Sequence, residues 1–174
     1  MNFNKIILID FSLENNLFFI LINKKIISKN FKNYNKTENI VDLFYKFIQK
    51  KKIKIDKSFS IIINVGPGNI VSIRNSIVIG KMISLIYQCN LLSFTNFELL
   101  IAKKYKKKKA IILLKNKNIL IDLYNRKSVK LSKIRSIVGD RYKIDLSFDK
   151  EDVKSLILLN KFSKKIVPIS YSTI

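Results

Sequence analysis

The hydrophobic pattern begins with a short apolar run, Lys5 to Ile9, closed by Asp10-Phe11-Ser12, and reads as a buried strand. Leu17 to Ile22 and Ile26 to Phe31 follow across the polar turns Glu14-Asn15-Asn16 and Asn23-Lys24-Lys25. Such short connections predict a three-stranded antiparallel meander. Ile40, Val41, Leu43, Phe44, Phe47 and Ile48 then recur at three and four, which predicts an amphipathic helix over Asn39 to Lys50. Phe59 to Val65 is the most hydrophobic strand of the chain and is expected inside the sheet. Gly66-Pro67-Gly68-Asn69 leads from it into a long helix, Asn69 to Gln88, apolar on nearly every side. A helix of that kind is either buried in its own domain or covered by another chain, and 174 residues offer little material to bury it.

Asn90 to Phe94 predicts a further strand and Phe97 to Ala102 a helix, which dissolves into the lysine run 103–109. That run is the expected boundary between a first lobe, residues 1–102, and a second, residues 110–174. Ala110 to Leu114 and Ile119 to Leu123 predict a hairpin. Asp149 to Leu159 predicts a helix capped by Asp149, and Pro168 predicts an extended tail. No internal repeat is visible.

Composition changes this picture in two ways. The formal net charge is +22, which by itself points to a polyanionic partner. The cations, however, are 30 Lys and 4 Arg beside 32 Ile, a drift across the whole sequence rather than an Arg-built recognition surface. The chain has no His and a single cysteine, Cys89. Catalysis by His, the Ser-His-Asp and Cys-His arrangements, an intrachain disulfide and a cysteine metal cluster are therefore excluded. No uninterrupted apolar run approaches the ~20 residues that span a bilayer, and a cytoplasmic protein without a membrane segment is expected.

The candidate chemistry is sparse. Asn64 to Arg74, NVGPGNIVSIR, lacks both the Lys-Ser/Thr pair of a Walker loop and a GxGxxG fingerprint. It reads better as a strand–helix connector needing special backbone angles than as a phosphate cradle. Asp10, at a strand end, has the position of a magnesium-binding carboxylate, but no second carboxylate matches it. A small-molecule kinase using Asp10, and an RNA-binding module using Lys103 to Lys109, stand as alternatives to a non-catalytic partner protein.

Two stretches carry a resemblance. IILIDFS, with Asp10 and Ser12, resembles the strand and Asp-Thr-Ser that open the TsaB (YeaZ) family, with Phe11 in place of Thr. Gly66, Pro67, Gly68 and Arg74 match in spacing that family's Gly-Pro-Gly-Ser-Phe-Thr-Gly-Leu-Arg signature. Ser72 stands for the helix glycine, and Lys81 matches the family's helix lysine. Leu91 to Ala102 and Pro168 to Tyr171 resemble further family segments. The likeness covers about the first 100 residues. It implies an α/β fold of the ASKHA class (actin, Hsp70 and sugar kinases), ribonuclease H-like, with a shortened second lobe and no cofactor. It also implies an accessory role for TsaD, which transfers the threonylcarbamoyl group to tRNA, with a TsaE-like ATPase joining the complex. The chain would pair with a TsaD-like subunit, or with itself, through its first-lobe helices, and any tRNA contact would be indirect. Phe44, Phe47, Ile73, Ile77, Val78 and Met82 are the expected interface.

Overall fold

The computed structural model describes residues 4–13, 15–32, 40–103, 109–114, 117–122, 124–125, 127–131, 143–144, 150–169 and 172–173. The first sheet has the order β3-β2-β1-β4-β5. Strand β1 (Lys5–Asp10), β2 (Asn15–Ile22) and β3 (Lys25–Lys32) form the expected antiparallel meander. The two-residue turn between β2 and β3 has positive φ at both Asn23 and Lys24, the geometry whose twist suits a tight hairpin. Strands β4 (Ser60–Asn64) and β5 (Asn90–Phe94) then add in parallel beside β1. Parallel neighbours require crossovers, and helix α2 (Ile70–Tyr87) supplies the one from β4 to β5.

Side-chain alternation along β1 divides the core into two layers. Ile6 and Leu8 face one side with Phe19, Ile62, Leu92 and Phe94, where α3 (Asn96–Ala102) and α4 (Lys150–Leu159) pack. Ile7 and Ile9 face the other side with Phe18, Ile61 and Ile63, beneath α1 (Ile40–Lys50) and α2. The sheet is therefore covered on both faces, which explains why Ile61, Ile62 and Ile63 are all fully buried and β4 reads as a continuous apolar run.

A second sheet, β10-β8-β7-β6-β9, is formed by β6 (Lys109–Leu114), β7 (Lys117–Asp122), β8 (Lys127–Leu131), β9 (Lys143–Ile144) and β10 (Ser172–Thr173). Its β6-β7-β8 meander is antiparallel and β9 pairs with β6 in parallel. This repeats the order and sense of β1 to β4, a duplication of topology that the sequence does not display.

The expected division after residue 102 is crossed by the chain. After the second sheet, residues 150–169 return to the first. Val153 and Leu156 of α4 are fully buried against the layer containing Leu99 and Leu100. Lys103 at the end of α3 is ion-paired to Asp152. Residues 163–169 then run along the edge of β5: Ser93 and Ser163 exchange backbone hydrogen bonds of 2.8 and 2.9 Å, and the Ile169 N–H donates to the Val65 carbonyl at 2.8 Å. The otherwise open edge of β5 is thereby bridged at Ser93. The proposed cap Asp149 lies outside the described residues, as do 104–108 of the lysine run.

Candidate functional site

The ends of β1 and β4 and the start of α3 meet in a closed polar cluster. Asp10, Ser12, Asn64 and Asn96 are all fully buried. One Asp10 carboxylate oxygen accepts from the Ser12 N–H at 2.8 Å and from its hydroxyl at 2.7 Å. The other accepts from the Asn64 amide at 3.0 Å. That same amide donates to the Asn96 side-chain oxygen at 2.7 Å, while the Asn64 oxygen accepts from the Gly66 N–H at 2.8 Å. The Asn96 amide closes the ring onto the Pro67 carbonyl at 2.7 Å and the Ser12 hydroxyl at 3.3 Å. Among the described residues no buried side-chain polar atom lacks a partner. Burial raises the Asp10 carboxyl above its ordinary range, and the hydrogen bonds from Asn64 and Ser12 oppose that rise.

The Gly-Pro-Gly turn is fitted to this cluster. Gly66 has φ +102°, a backbone region that side chains rarely enter. At Gly68 the limit is space: a Cβ there would lie 2.2 Å from the Ser12 carbonyl oxygen. That carbonyl accepts from the Asn69 N–H at 2.8 Å, so the loop between β1 and β2 is bonded to the start of α2. The Asn69 side chain caps the helix by accepting from the Val71 and Ser72 N–H groups. The helix N-terminus is thus occupied by its own cap, and both Asp10 oxygens are taken by donors. Among the described residues no cluster of three or more metal-ligating side chains exists. The reading of this loop as a strand–helix connector agrees with the geometry, and the strand-end residues Asp10 and Ser12 are brought together with Gly66, Pro67 and Gly68. Sequence reasoning missed Asn64 and Asn96. The one available signal was that an amide closes each of the two parallel strand segments, Asn64 ending β4 and Asn96 opening α3 just beyond β5.

Phe11, in place of a hydroxyl residue, joins the core. Its ring lies 5.1 Å from that of Phe18, which in turn contacts Phe44 at 5.4 Å and stacks on Phe47 at 6.0 Å. Phe44 and Phe47 consequently point inward from α1 and are buried. Ile73 and Ile77 are likewise buried beneath α2. Four of the six expected interface residues therefore serve the chain's own core, because the sheet beneath α1 and α2 claims the arc that contains them. Val78 and Met82 are exposed.

The outward face of α2 is large and apolar. Val71, Val78, Met82, Leu85 and Ile86 are between 47% and 80% exposed, and Val41 and Tyr45 continue the surface onto α1. The inward face combines Ile73, Ile77, Ile79 and Ile83 with a stripe of small residues: Ser72, Ser76 and Gly80 lie one turn apart and buried, and a Cβ on Gly80 would meet the Ile63 side chain at 2.2 Å. The Ser76 hydroxyl is satisfied within the helix by the Ser72 carbonyl at 2.9 Å. A groove lined by Val41, Tyr45, Ile48, Ile79, Met82 and Ile86 runs between the two helices. Arg74 and Lys81 are exposed on α2 beside the apolar residues. By length and composition alone α2 is apolar enough to cross a membrane, but 39% of that stretch is buried within the fold.

Cys89 is buried at the end of the α2–β5 turn and its thiol contacts the Asp56 carbonyl at 3.2 Å. Burial first, and the Asp56 carboxylate second, push the thiol up, away from nucleophilic character.

No protein-family model matches the chain, and no curated protein matches it. Solved structures do. YeaZ from Pseudomonas aeruginosa superposes with a TM-score of 0.64 at 13% identity, covering 96% of this chain and 99% of that one. A second structure, described as an uncharacterized protein with similarity to peptidase YeaZ from Pseudomonas aeruginosa, gives 0.65 at 13% identity with the same coverage. The chain thus shares the mixed-sheet α/β fold seen in YeaZ, over 96% of its length.

Proposed function

We propose that the chain is a non-catalytic accessory subunit in the formation of N6-threonylcarbamoyladenosine in tRNA, binding and activating a TsaD-like threonylcarbamoyltransferase. One observation carries the reading: with Ile73, Ile77, Ile79 and Ile83 already buried against the fold, α2 still turns Val71, Val78, Met82, Leu85 and Ile86 outward, Leu85 80% and Ile86 67% exposed. A continuous apolar face of this kind marks a surface for another protein. The fold shared with YeaZ and the Asp10, Gly66, Pro67, Gly68 and Arg74 signature support the choice of partner. The hydrogen-bonded Asp10 supports an absence of chemistry in the chain itself, since both carboxylate oxygens already have donors. In this reading the TsaD-like subunit performs the transfer and meets the tRNA, a TsaE-like ATPase joins the same complex, and the assembly works in the cytoplasm.

Co-expression with the TsaD-like subunit of the same organism tests this. The wild-type chain is expected to co-elute with that subunit and to raise its transfer activity. A V78D/L85D variant is expected to do neither, while keeping the wild-type circular dichroism spectrum and melting temperature. Retention of the complex by a folded V78D/L85D variant would sink the proposal.

A further inference from the structure

Residues 160–169 form a strap that changes sides of the first sheet. Asn160 ends α4 with a positive φ of 50°, and the chain then passes around the edge of β5. Phe162 packs on the layer of α3 and α4, whereas Ile166 and Ile169 pack on the layer of α1 and α2. Two points hold the strap to the first sheet. At Ser93, the side-chain hydroxyl adds a bond to the Lys165 carbonyl at 2.9 Å to the paired backbone bonds with Ser163. Ahead of the Gly-Pro-Gly turn, the Ile169 N–H donates to the Val65 carbonyl at 2.8 Å, and the Ile169 carbonyl lies 3.3 Å from where a Gly66 Cβ would stand. Every residue of the strap is half-buried or exposed, yet Val65, Gly66, Pro67 and Gly68 are all buried.

The far end of the strap belongs to the other sheet. Ser172 and Thr173 pair in parallel with Val129 and Lys130 of β8. Only residues 170 and 171 separate Ile169 from Ser172, and a link of that length reaches about 11 Å at most. Ile169 is therefore confined from both sides, by α4 with its buried Val153 and Leu156 and by β10. A contact made of one backbone bond and half-buried side chains opens easily by itself. Short tethers at both ends reduce the entropy lost each time it closes. Val65, to which Ile169 is bonded, stands between Asn64 and Gly66 of the buried polar cluster, and the Gly66 carbonyl accepts from the Asn96 N–H at 2.8 Å. We propose that the strap is a two-ended clasp through which β10 of the second sheet holds the Gly-Pro-Gly turn shut, so that release of β10 loosens the turn while the first sheet stays folded. Such coupling is reciprocal: an event that opens the turn also weakens the hold of β10 on β8.

Native-state amide exchange on the whole chain tests the clasp. The reporters are the N–H groups of Gly66, Asn69 and Asn96, which bond the turn to its surroundings. One variant inserts Gly-Ser-Gly-Ser between residues 170 and 171, which lengthens the tether and leaves every contact described above in place. A second ends the chain at residue 171 and so removes β10. Each is expected to speed exchange at the three reporters by at least ~10-fold, with the amides of β1 and β2 unchanged. Combined, the two changes are expected to do no more than either alone, because both undo the same tether. I169P removes the donor to Val65 and is expected to give the same rise, with no further rise when β10 is also removed. Unchanged reporters in the lengthened chain, additive rises in the combined variant, a further rise on removing β10 from I169P, or a rise shared equally by β1 and β2 would overturn the proposal. The measurements need no partner, so their outcome is separate from that of the co-expression experiment.

Discussion

At the level of single residues, the strand-end cluster determines what the Gly-Pro-Gly turn can be. A carboxylate awaiting a metal would need open lone pairs; Asp10 has instead three protein donors and no exposure. Its raised ionisation has a definite sign. Between the ordinary carboxylate range and Asp10's own higher value, the folded state binds more protons than the unfolded state, so stability falls as pH rises through that window. Asp56 behaves oppositely. The Ser58 hydroxyl first, and Lys5 second, lower it to about 2, so its contribution is lost as pH falls from about 4 toward that value. Melting curves against pH are expected to show both limbs in wild type, with D10N lacking the first and D56N the second. D10N also places an amide N–H against the Asn64 donor or the Ser12 donors, and is expected to cost about 1–3 kcal/mol at neutral pH. G68A forces a Cβ against the Ser12 backbone and is expected to destabilise by about 1–3 kcal/mol or more. G80A meets Cδ1 and Cγ1 of the Ile63 side chain, at 2.2 and 2.9 Å, and no backbone atom, and is expected to cost less than G68A. Urea titrations of the two alanine variants decide the order.

At the level of elements, legibility followed the hydrophobic pattern. The meander, β4, α1, α2 and the β6–β7 hairpin were all readable, α1 from apolar positions at three and four and the others from apolar runs bounded by polar turns or by the glycine loop. Which face of α2 is buried was not readable from hydrophobicity. The buried face holds Ser72, Ser76 and Gly80 beside Ile73, Ile77, Ile79 and Ile83, and the small size of the first three allows the helix to lie close over Ile63, while Val71, Val78, Met82, Leu85 and Ile86, no less apolar, stay outside. Because α2 is apolar on nearly every side, the expected interface set took Ile73 and Ile77 together with Val78 and Met82; the structure buries the first two and leaves Val71, Leu85 and Ile86 exposed beside the others. For α1, the missing information was Phe18 on β2, a distant residue whose ring fixes the direction of Phe44 and Phe47. The two helices separate the effects experimentally. I77D buries an unpaired charge and is expected to lose about 4 kcal/mol or more of folding stability. V78D and L85D lie at the surface and are expected to fall within about 0.5 kcal/mol of wild type. Chemical denaturation of the three single variants checks the contrast.

At the level of the whole molecule, the structure brings the Gly66–Gly68 turn against the end of β1, whereas the contribution of residues 150–169 to the first sheet had no local mark. Their pairings join positions as far apart as Val65 and Ile169, a separation that no window of sequence can report. Because Val153 and Leu156 complete the layer over Leu99 and Leu100, L156A is expected to cost about 2–5 kcal/mol. A chain cut after Ala102 is expected to lose cooperative unfolding, which calorimetry would register. The same closure sets a timetable for biosynthesis. Roughly 50 residues separate α3 from α4, so at about 5–20 residues per second α4 emerges several seconds after the strands it covers. Throughout that interval the Phe97–Leu100 side stays greasy and open to chaperones or proteases. An unfinished polypeptide therefore carries α2 without the support of a complete lobe, and only chains translated through α4 can offer a stable docking helix to a partner.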